Sequence, residues 1–256
     1  MIKILLFIWT LWSLFVTISV FFIALPLNLI LIFCFGKIGR DVFVRYNRYV
    51  GNLLLFLFGM RKKISGFYPF KHNEPCIYVV NHRSYLDVVI VASLIPHRIK
   101  YLGKAEVFKW PFFGFLARHS GQIPVQREDK KSRNTGYDLM KQALLDGYSI
   151  ILFPEGGWKN NNDNKSPNPY SLEKNKLLQD FRNGAFRLSI EAKVPIIPIV
   201  LMNAQERFSD VTMRIVPGVI KIHVLDLIRP HSFQESFDFN HHCYDLMLEH
   251  LKKHHS

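Results

Sequence analysis

The chain has 256 residues, 49% hydrophobic and 14% aromatic, with 33 Lys and Arg against 20 Asp and Glu for a net charge of +13. That apolar content supports a sizeable core and excludes global disorder, and the length argues for one domain, with or without a membrane appendage. The basic balance invites an acidic partner, whether nucleic acid, anionic lipid or a phosphorylated substrate, while three scattered cysteines without a CxxC argue against a disulfide framework or zinc cluster.

No charged residue occurs from Ile4 to Gly36, a run of 33. A helix of about 20 residues crosses a bilayer core, so the run is long enough. Pro26 is expected to divide it, leaving one span with an interfacial tail or two shorter helices that dip in and return. Trp9 and Trp12 suit a headgroup boundary, and Thr10, Ser13 and Thr17 share a helical face that favours close packing on another helix. The run exceeds the ~7–15 apolar residues of a signal peptide, and no small-residue cleavage site precedes Lys37.

From Lys37 to Lys63 seven Lys and Arg stand against Asp41 alone, which would keep the following chain cytoplasmic if the run spans. Only +6 remains on residues 64–256. Half of the basic character therefore sits where anionic headgroups would meet it, which argues against a nucleic-acid partner. The uncharged Tyr49–Met60 reads as an interfacial or a core helix. We place the membrane-anchoring helical region at 1–63 and a second domain at 64–256.

Beyond Lys63, apolar runs at Cys76–Val80, Gly121–Gln126, Tyr148–Phe153, Pro195–Leu201 and Val219–Leu225 read as strands. Helical patterns lie between them at Tyr85–Leu94, Ser132–Asp146 and Phe181–Lys193, and Lys159–Lys176 is a polar insertion. This alternation predicts an α/β domain with a largely parallel sheet flanked by helices.

Three turns carry chemistry. After the strand Ile77–Val80 comes Asn81-His82-Arg83-Ser84-Tyr85-Leu86-Asp87. A His and an Asp five apart lie ~140° apart on one helix and cannot pair there. They pair if His82 precedes the helix and Asp87 sits in its first turn, a geometry favoured by the capping-box-like Ser84-x-x-Asp87. A carboxylate behind an imidazole holds its tautomer and leaves the outer nitrogen as a base; the plainer reading is a capped helix beside a loop histidine. Phe153-Pro154-Glu155-Gly156-Gly157 again follows a strand, as a ligand-facing turn or an ordinary one. Arg127 also follows a strand, where its planar fork would suit a phosphate or face solvent. Lys104 precedes an aromatic cluster from Phe108 to Phe113 that reads as core, membrane contact or acyl pocket. His250 and His254 share a helix face near the C-terminus, but His242 and Cys243 lie too far along that helix to complete a metal site.

In this order the motifs resemble those of the glycerolipid acyltransferase family, the 1-acyl-glycerol-3-phosphate acyltransferases and their lysophospholipid relatives. Asn81-His82-x4-Asp87 is similar to the family's first motif, Arg127 ends its second, Phe153-Pro154-Glu155-Gly156 is its third and Val194–Val200 its fourth. The resemblance implies transfer of a fatty acyl chain from an acyl-CoA or acyl-carrier-protein thioester to the hydroxyl of a lysophospholipid, foremost 1-acyl-glycerol-3-phosphate. No cofactor and no metal are implied. His82 would be the base and Asp87 its orienter, with Asn81, Lys104, Arg127, Glu155 and Gly156 on the substrate side. Membrane lipids are the implied partners, with the catalytic domain on the cytoplasmic face. Where the family has Thr or Ser and then Arg after Glu-Gly, this chain has Gly157 and Trp158. A different lysophospholipid, a transacylase, and a non-catalytic lipid-binding protein of the same fold are the competing readings.

Overall fold

The computed structural model describes residues 2–67, 74–96, 98–156 and 177–255. The Gly157-Trp158 departure and the polar insertion lie outside these residues.

The uncharged run forms one helix, α1 (Ile2–Cys34), and α2 (Gly36–Leu57) returns beside it. Pro26, expected to divide the run, is instead accommodated within α1. A proline forfeits a helical hydrogen bond, but Ala24 and Asn28 on either side are buried, and Asn47 Nδ2 donates to Asn28 Oδ1 at 3.1 Å. Packing on α2 therefore carries the helix through the proline, and the chain reverses at Gly36, where φ is +52°. Ser13 is buried, Thr10 half-buried and Thr17 exposed, and all three donate to carbonyls one turn earlier at 2.7–2.8 Å. The indole N–H groups of Trp9 and Trp12 donate to the Phe58 and Leu57 carbonyls at 3.2 and 3.3 Å. These are among the acceptors that a helix C-terminus leaves unpaired.

The strands are β1 (Met60–Gly66), β2 (Ile77–Val80), β3 (Ile99–Lys104), β4 (Ile123–Val125), β5 (Ser149–Leu152), β6 (Ile196–Leu201), β7 (Phe208–Ser209), β8 (Arg214–Ile215) and β9 (Gly218–Val224). Seven form one sheet in the order β1-β9-β6-β2-β5-β3-β4, while β7 and β8 pair as a separate antiparallel ribbon. Every pairing in the large sheet is parallel except β6 with β9. Met60–Lys63, placed with the helical region from sequence, are thus the first residues of an edge strand. Tyr49–Met60 resolves into the end of α2 and the start of β1, with Leu55, Phe58 and Met60 buried in the core.

The remaining helices are α3 (Leu86–Leu94), α4 (Phe113–His119), α5 (Lys130–Leu145), α6 (Gly184–Ala192), α7 (Ala204–Arg207) and α8 (Ser236–His255). Alternation along the strands sorts the core. Tyr78, Val80, Ile151, Ile197 and Ile199 pack with residues of α2 and α3, and Val16 of α1 joins them. Ile77, Val79, Ile150, Ile196 and Val200 pack on the other face with α5, α6 and α8. β2, β5 and β6 are buried on both faces, which is why they read as unbroken apolar runs. Each such side chain contributes about 1.5–3 kcal/mol by leaving water.

Both halves of α1 are held against the α/β domain. Thr10 Oγ1 accepts from the Ile215 N–H of β8 at 3.2 Å, and the Phe33 ring lies 5.9 Å from that of Phe115 on α4. The outward side remains apolar, with Leu5, Ile8, Phe15, Ile23 and Phe33 exposed. Among the described residues α1 is the one helix long and apolar enough to cross a membrane, by length and composition.

The hairpin crossing is tight enough that a Cβ at Gly39 would fall on the Leu31 carbonyl of α1. Alanine normally favours a helix over glycine by about 1 kcal/mol. Here Gly39→Ala is expected to destabilise by about 1–3 kcal/mol through overpacking, whereas Gly36→Ala meets open space and incurs only the ~1 kcal/mol of a left-handed residue. Thermal unfolding of both full-length variants checks this; a Gly39→Ala protein as stable as wild type would contradict the crossing.

Candidate active site

Because β2, β3, β4 and β5 are parallel, their C-terminal ends reach one edge of the sheet, and the residues that follow are brought together there. β2 delivers Asn81 and His82, β5 delivers Phe153–Gly156, β4 delivers Arg127, and Lys104 ends β3.

At the first turn the chain leaves β2 and enters α3 only at Leu86, so His82 lies outside the helix and Asp87 in its first turn. His82 Nδ1 lies 2.9 Å from Asp87 Oδ2. The same oxygen accepts the backbone N–H groups of Arg83 at 2.7 Å and Ser84 at 2.9 Å. A carboxylate that collects three donors is held firmly in place. Asp87 is 1% exposed and the His82 side chain 12%, so the pair sits at the floor of the edge. The His82 ring stacks on Phe153 with centroids 4.1 Å apart. With Nδ1 donating to Asp87, proton exchange with a ligand falls to Nε2.

Glu155 departs from its expected place on the substrate. It is buried, Oε1 accepts the His82 N–H at 2.7 Å, and Oε2 accepts the Gln179 N–H at 2.9 Å. Its carboxylate thus ties the β5 turn to the backbone of His82. Burial pushes its pKa up to about 7, against the pull of those two N–H donors. Asn81 is likewise a structural clasp: Nδ2 donates to the Leu201 carbonyl at 2.9 Å, and Oδ1 accepts the Leu201 N–H at 2.7 Å. Both side chains fix where His82 stands, by joining the end of β2 to its neighbours on either side.

Arg127 does reach the β5 turn, where Nη1 donates to the Gly156 carbonyl. Gly156 has φ +76°, a conformation that favours glycine, and the Arg182 Nε lies 2.5 Å from where a Cβ would stand. Two guanidinium groups therefore approach one turn, and burial together with the Arg182 charge disfavours the charge on Arg127. Such a pair gains from an anion placed between them. Lys104 sits farther out, half-exposed, with Nζ 3.5 Å from Glu106.

The aromatic cluster is neither wholly core nor wholly surface. Phe108 is buried, while Trp110, Phe112 and Phe113 are exposed. Phe112 lies 5.8 Å from Phe22 and 6.4 Å from Phe21 on α1, so cluster and helix share one apolar surface. His250 stacks on His223 with centroids 4.5 Å apart. Among the described residues no group of three or more His, Cys, Asp or Glu is arranged to hold a metal ion.

Asp210, just past β7, was missed by sequence reasoning. It meets the His82–Asp87 turn only through folding: Ser84 Oγ donates to the Phe208 carbonyl at 2.8 Å, and the Tyr85 N–H to Asp210 Oδ1 at 3.3 Å. No local pattern marks it.

The chain is similar to several known acyltransferases. A chloroplastic 1-acyl-sn-glycerol-3-phosphate acyltransferase, BAT2, from Brassica napus is 30% identical over 51% of this chain and 33% of its own length. A 1-acyl-sn-glycerol-3-phosphate acyltransferase from Haemophilus influenzae is 29% identical over 69% of this chain and 68% of its own. The alpha form from Mus musculus is 30% identical over 73% of this chain and 62% of its own. The crystal structure of PlsC, the 1-acyl-sn-glycerophosphate acyltransferase from Thermotoga maritima, superposes with a TM-score of 0.78 over 99% of this chain and 97% of that one, at 16% identity. It shares the fold. The acyltransferase family model matches residues 61–202, from β1 through β6. That span is more than half of the chain and contains both the His82–Asp87 turn and the Phe153–Gly156 turn, so this chain belongs to the acyltransferase family.

Proposed function

We propose that the protein is an O-acyltransferase that moves a fatty acyl chain from a thioester to the free hydroxyl of 1-acyl-glycerol-3-phosphate, giving phosphatidic acid. The observation that carries this reading is the His82–Asp87 pair at 2.9 Å, with the His82 backbone held by Glu155. The names of the relatives point the same way.

His82 Nε2 takes the proton of the acceptor hydroxyl as that oxygen attacks the thioester carbonyl carbon. Asp87 stabilises the imidazolium so formed. The new C–O bond replaces the C–S bond, and the departing thiolate takes the proton from His82, returning the base to its starting state. A thioester is already an activated acyl donor, so a base and correct positioning suffice and no acyl-enzyme is needed. The donor is acyl-CoA or an acylated carrier protein, and no further cofactor takes part. Arg127 and Arg182 hold the acceptor phosphate beside Gly156. Lys104 adds charge at the rim.

Membrane lipids supply the acceptor, and α1 gives access to them. Because α1 is held to the α/β domain near both Thr10 and Phe33, it lies along the domain with its exposed apolar side in one leaflet. Trp110, Phe112 and Phe113 extend that side, and Lys37 and Arg45 of α2 face the headgroups on the cytoplasmic surface.

Replacing His82 with Ala is expected to lower kcat at least about a hundredfold, and Arg127→Ala to raise the KM for lysophosphatidate roughly tenfold while leaving the thioester KM near wild type. Steady-state kinetics in detergent check both. Wild-type turnover by His82→Ala removes the base, and equal changes in both KM values remove the phosphate assignment. For the membrane placement, Ile4→Cys in a Cys34→Ser background should react with an impermeant maleimide added to the side that carries the α/β domain. Reaction from the opposite side only would show that α1 spans.

A further inference from the structure

The His82–Asp87 turn carries a second carboxylate that the family match does not reach, since Asp210 lies beyond residue 202. Its Oδ1 accepts the Tyr85 N–H at 3.3 Å, inside the turn, and the β7 segment that bears it is latched to the same turn by Ser84 Oγ on the Phe208 carbonyl at 2.8 Å. Its other oxygen, Oδ2, is buried without a hydrogen-bond partner among the described residues. The same is true of Asp87 Oδ1. Two carboxylates, each with a buried oxygen that lacks a hydrogen-bond partner among the described residues, thus converge on the turn that carries the His82 imidazole and the Arg83 guanidinium.

We propose that Asp210 is a positioning residue for the transfer reaction, a second carboxylate that acts with Asp87 to stabilise the imidazolium form of His82. The proposal rests on His82 being the base, as argued above.

The charges around the turn fix the sign. Asp87 binds the ring directly through Oδ2, whereas Asp210 binds the Tyr85 N–H, three residues along the same turn. Arg83, on the same turn, is a neighbour of Glu155, and Glu155 gives its carboxylate oxygens to the backbone of His82 and Gln179. Burial chiefly, and then the Asp87 charge, raise the Asp210 carboxyl to about 6, while the Tyr85 N–H and the His82 ring draw it down. The coupling is reciprocal: a ring that favours the Asp210 carboxylate is itself favoured as a cation by that carboxylate. Above about pH 6 the Asp210 carboxylate predominates, and there it adds negative potential as the acceptor proton arrives on Nε2.

The test replaces Asp210 with Asn, which keeps an acceptor for the Tyr85 N–H and removes the charge, and with Glu, which keeps the charge. Full-length protein in detergent is labelled at its histidine rings, and the His82 resonance, assigned by its loss in His82→Gln, is titrated by NMR. The proposal expects the His82 midpoint in Asp210→Asn to fall by about half a pH unit or more, with Asp210→Glu near wild type. The acidic limb of kcat/KM for acyl transfer should move down in parallel. An unmoved midpoint in Asp210→Asn, or an equal shift in Asp210→Glu, overturns it and leaves Asp210 as an anchor for the β7–β8 ribbon. Because the titration needs no turnover, it decides the proposal even if the acyl-transfer reading itself fails.

Discussion

An imidazole and a carboxylate five residues apart cannot meet on one helix, so the His82–Asp87 pair exists only because the chain delays its helix until Leu86. The delay needs support, since a turn after a buried strand has backbone groups to satisfy. Asp87 Oδ2 takes the N–H groups of Arg83 and Ser84, Glu155 takes that of His82, and Asn81 clasps the end of β6. Removing any one of these frees a donor and loosens the ring that the others hold. The parallel arrangement of β6, β2 and β5 is what makes the clasps possible, because it brings the three strand ends to one level.

The same logic gives Glu155 an unusual state. A carboxylate that accepts two backbone N–H groups would ordinarily stay easily ionised, yet burial outweighs them and moves it to about 7. The polar end of the β5 turn is therefore built into the protein. The cations Arg127 and Arg182 approach the same turn at Gly156, where no side chain stands between them and the backbone.

The strands legible in the sequence were those buried on both faces, together with β4 and β9, whose burial alternates along the strand. β2, β5 and β6 are unbroken apolar runs because no position on them meets water. β1 was hidden, since Met60-Arg-Lys-Lys-Ile-Ser-Gly66 is an edge strand with one half-solvated face and three cations. β3 was hidden for a similar reason: Ile99-Lys-Tyr-Leu-Gly-Lys104 mixes charge and glycine with few apolar side chains. The reading of Pro26 failed because local propensity was overridden by packing of α1 on α2. At the site, His82, Asp87, Arg127 and Glu155 were all visible as motif residues, and the spacing permitted a His82–Asp87 pair only if the helix began after His82. What sequence could not show was direction: Glu155 and Asn81 point into the protein. Asp210 arrives from a separate ribbon 123 positions beyond Asp87, a distance that only the fold closes.

The apolar side of α1 and the aromatic residues around Phe112 form one exposed surface on the same domain that carries the His82–Asp87 pair. The most direct test supplies purified full-length protein with a labelled acyl-CoA and a panel of lysophospholipids, following both lipid product and free thiol. Labelled phosphatidic acid formed from lysophosphatidate, with one thiol released per chain transferred, is the predicted result. Thiol release without lipid product, or transfer confined to acceptors that lack a phosphomonoester headgroup, would contradict the account.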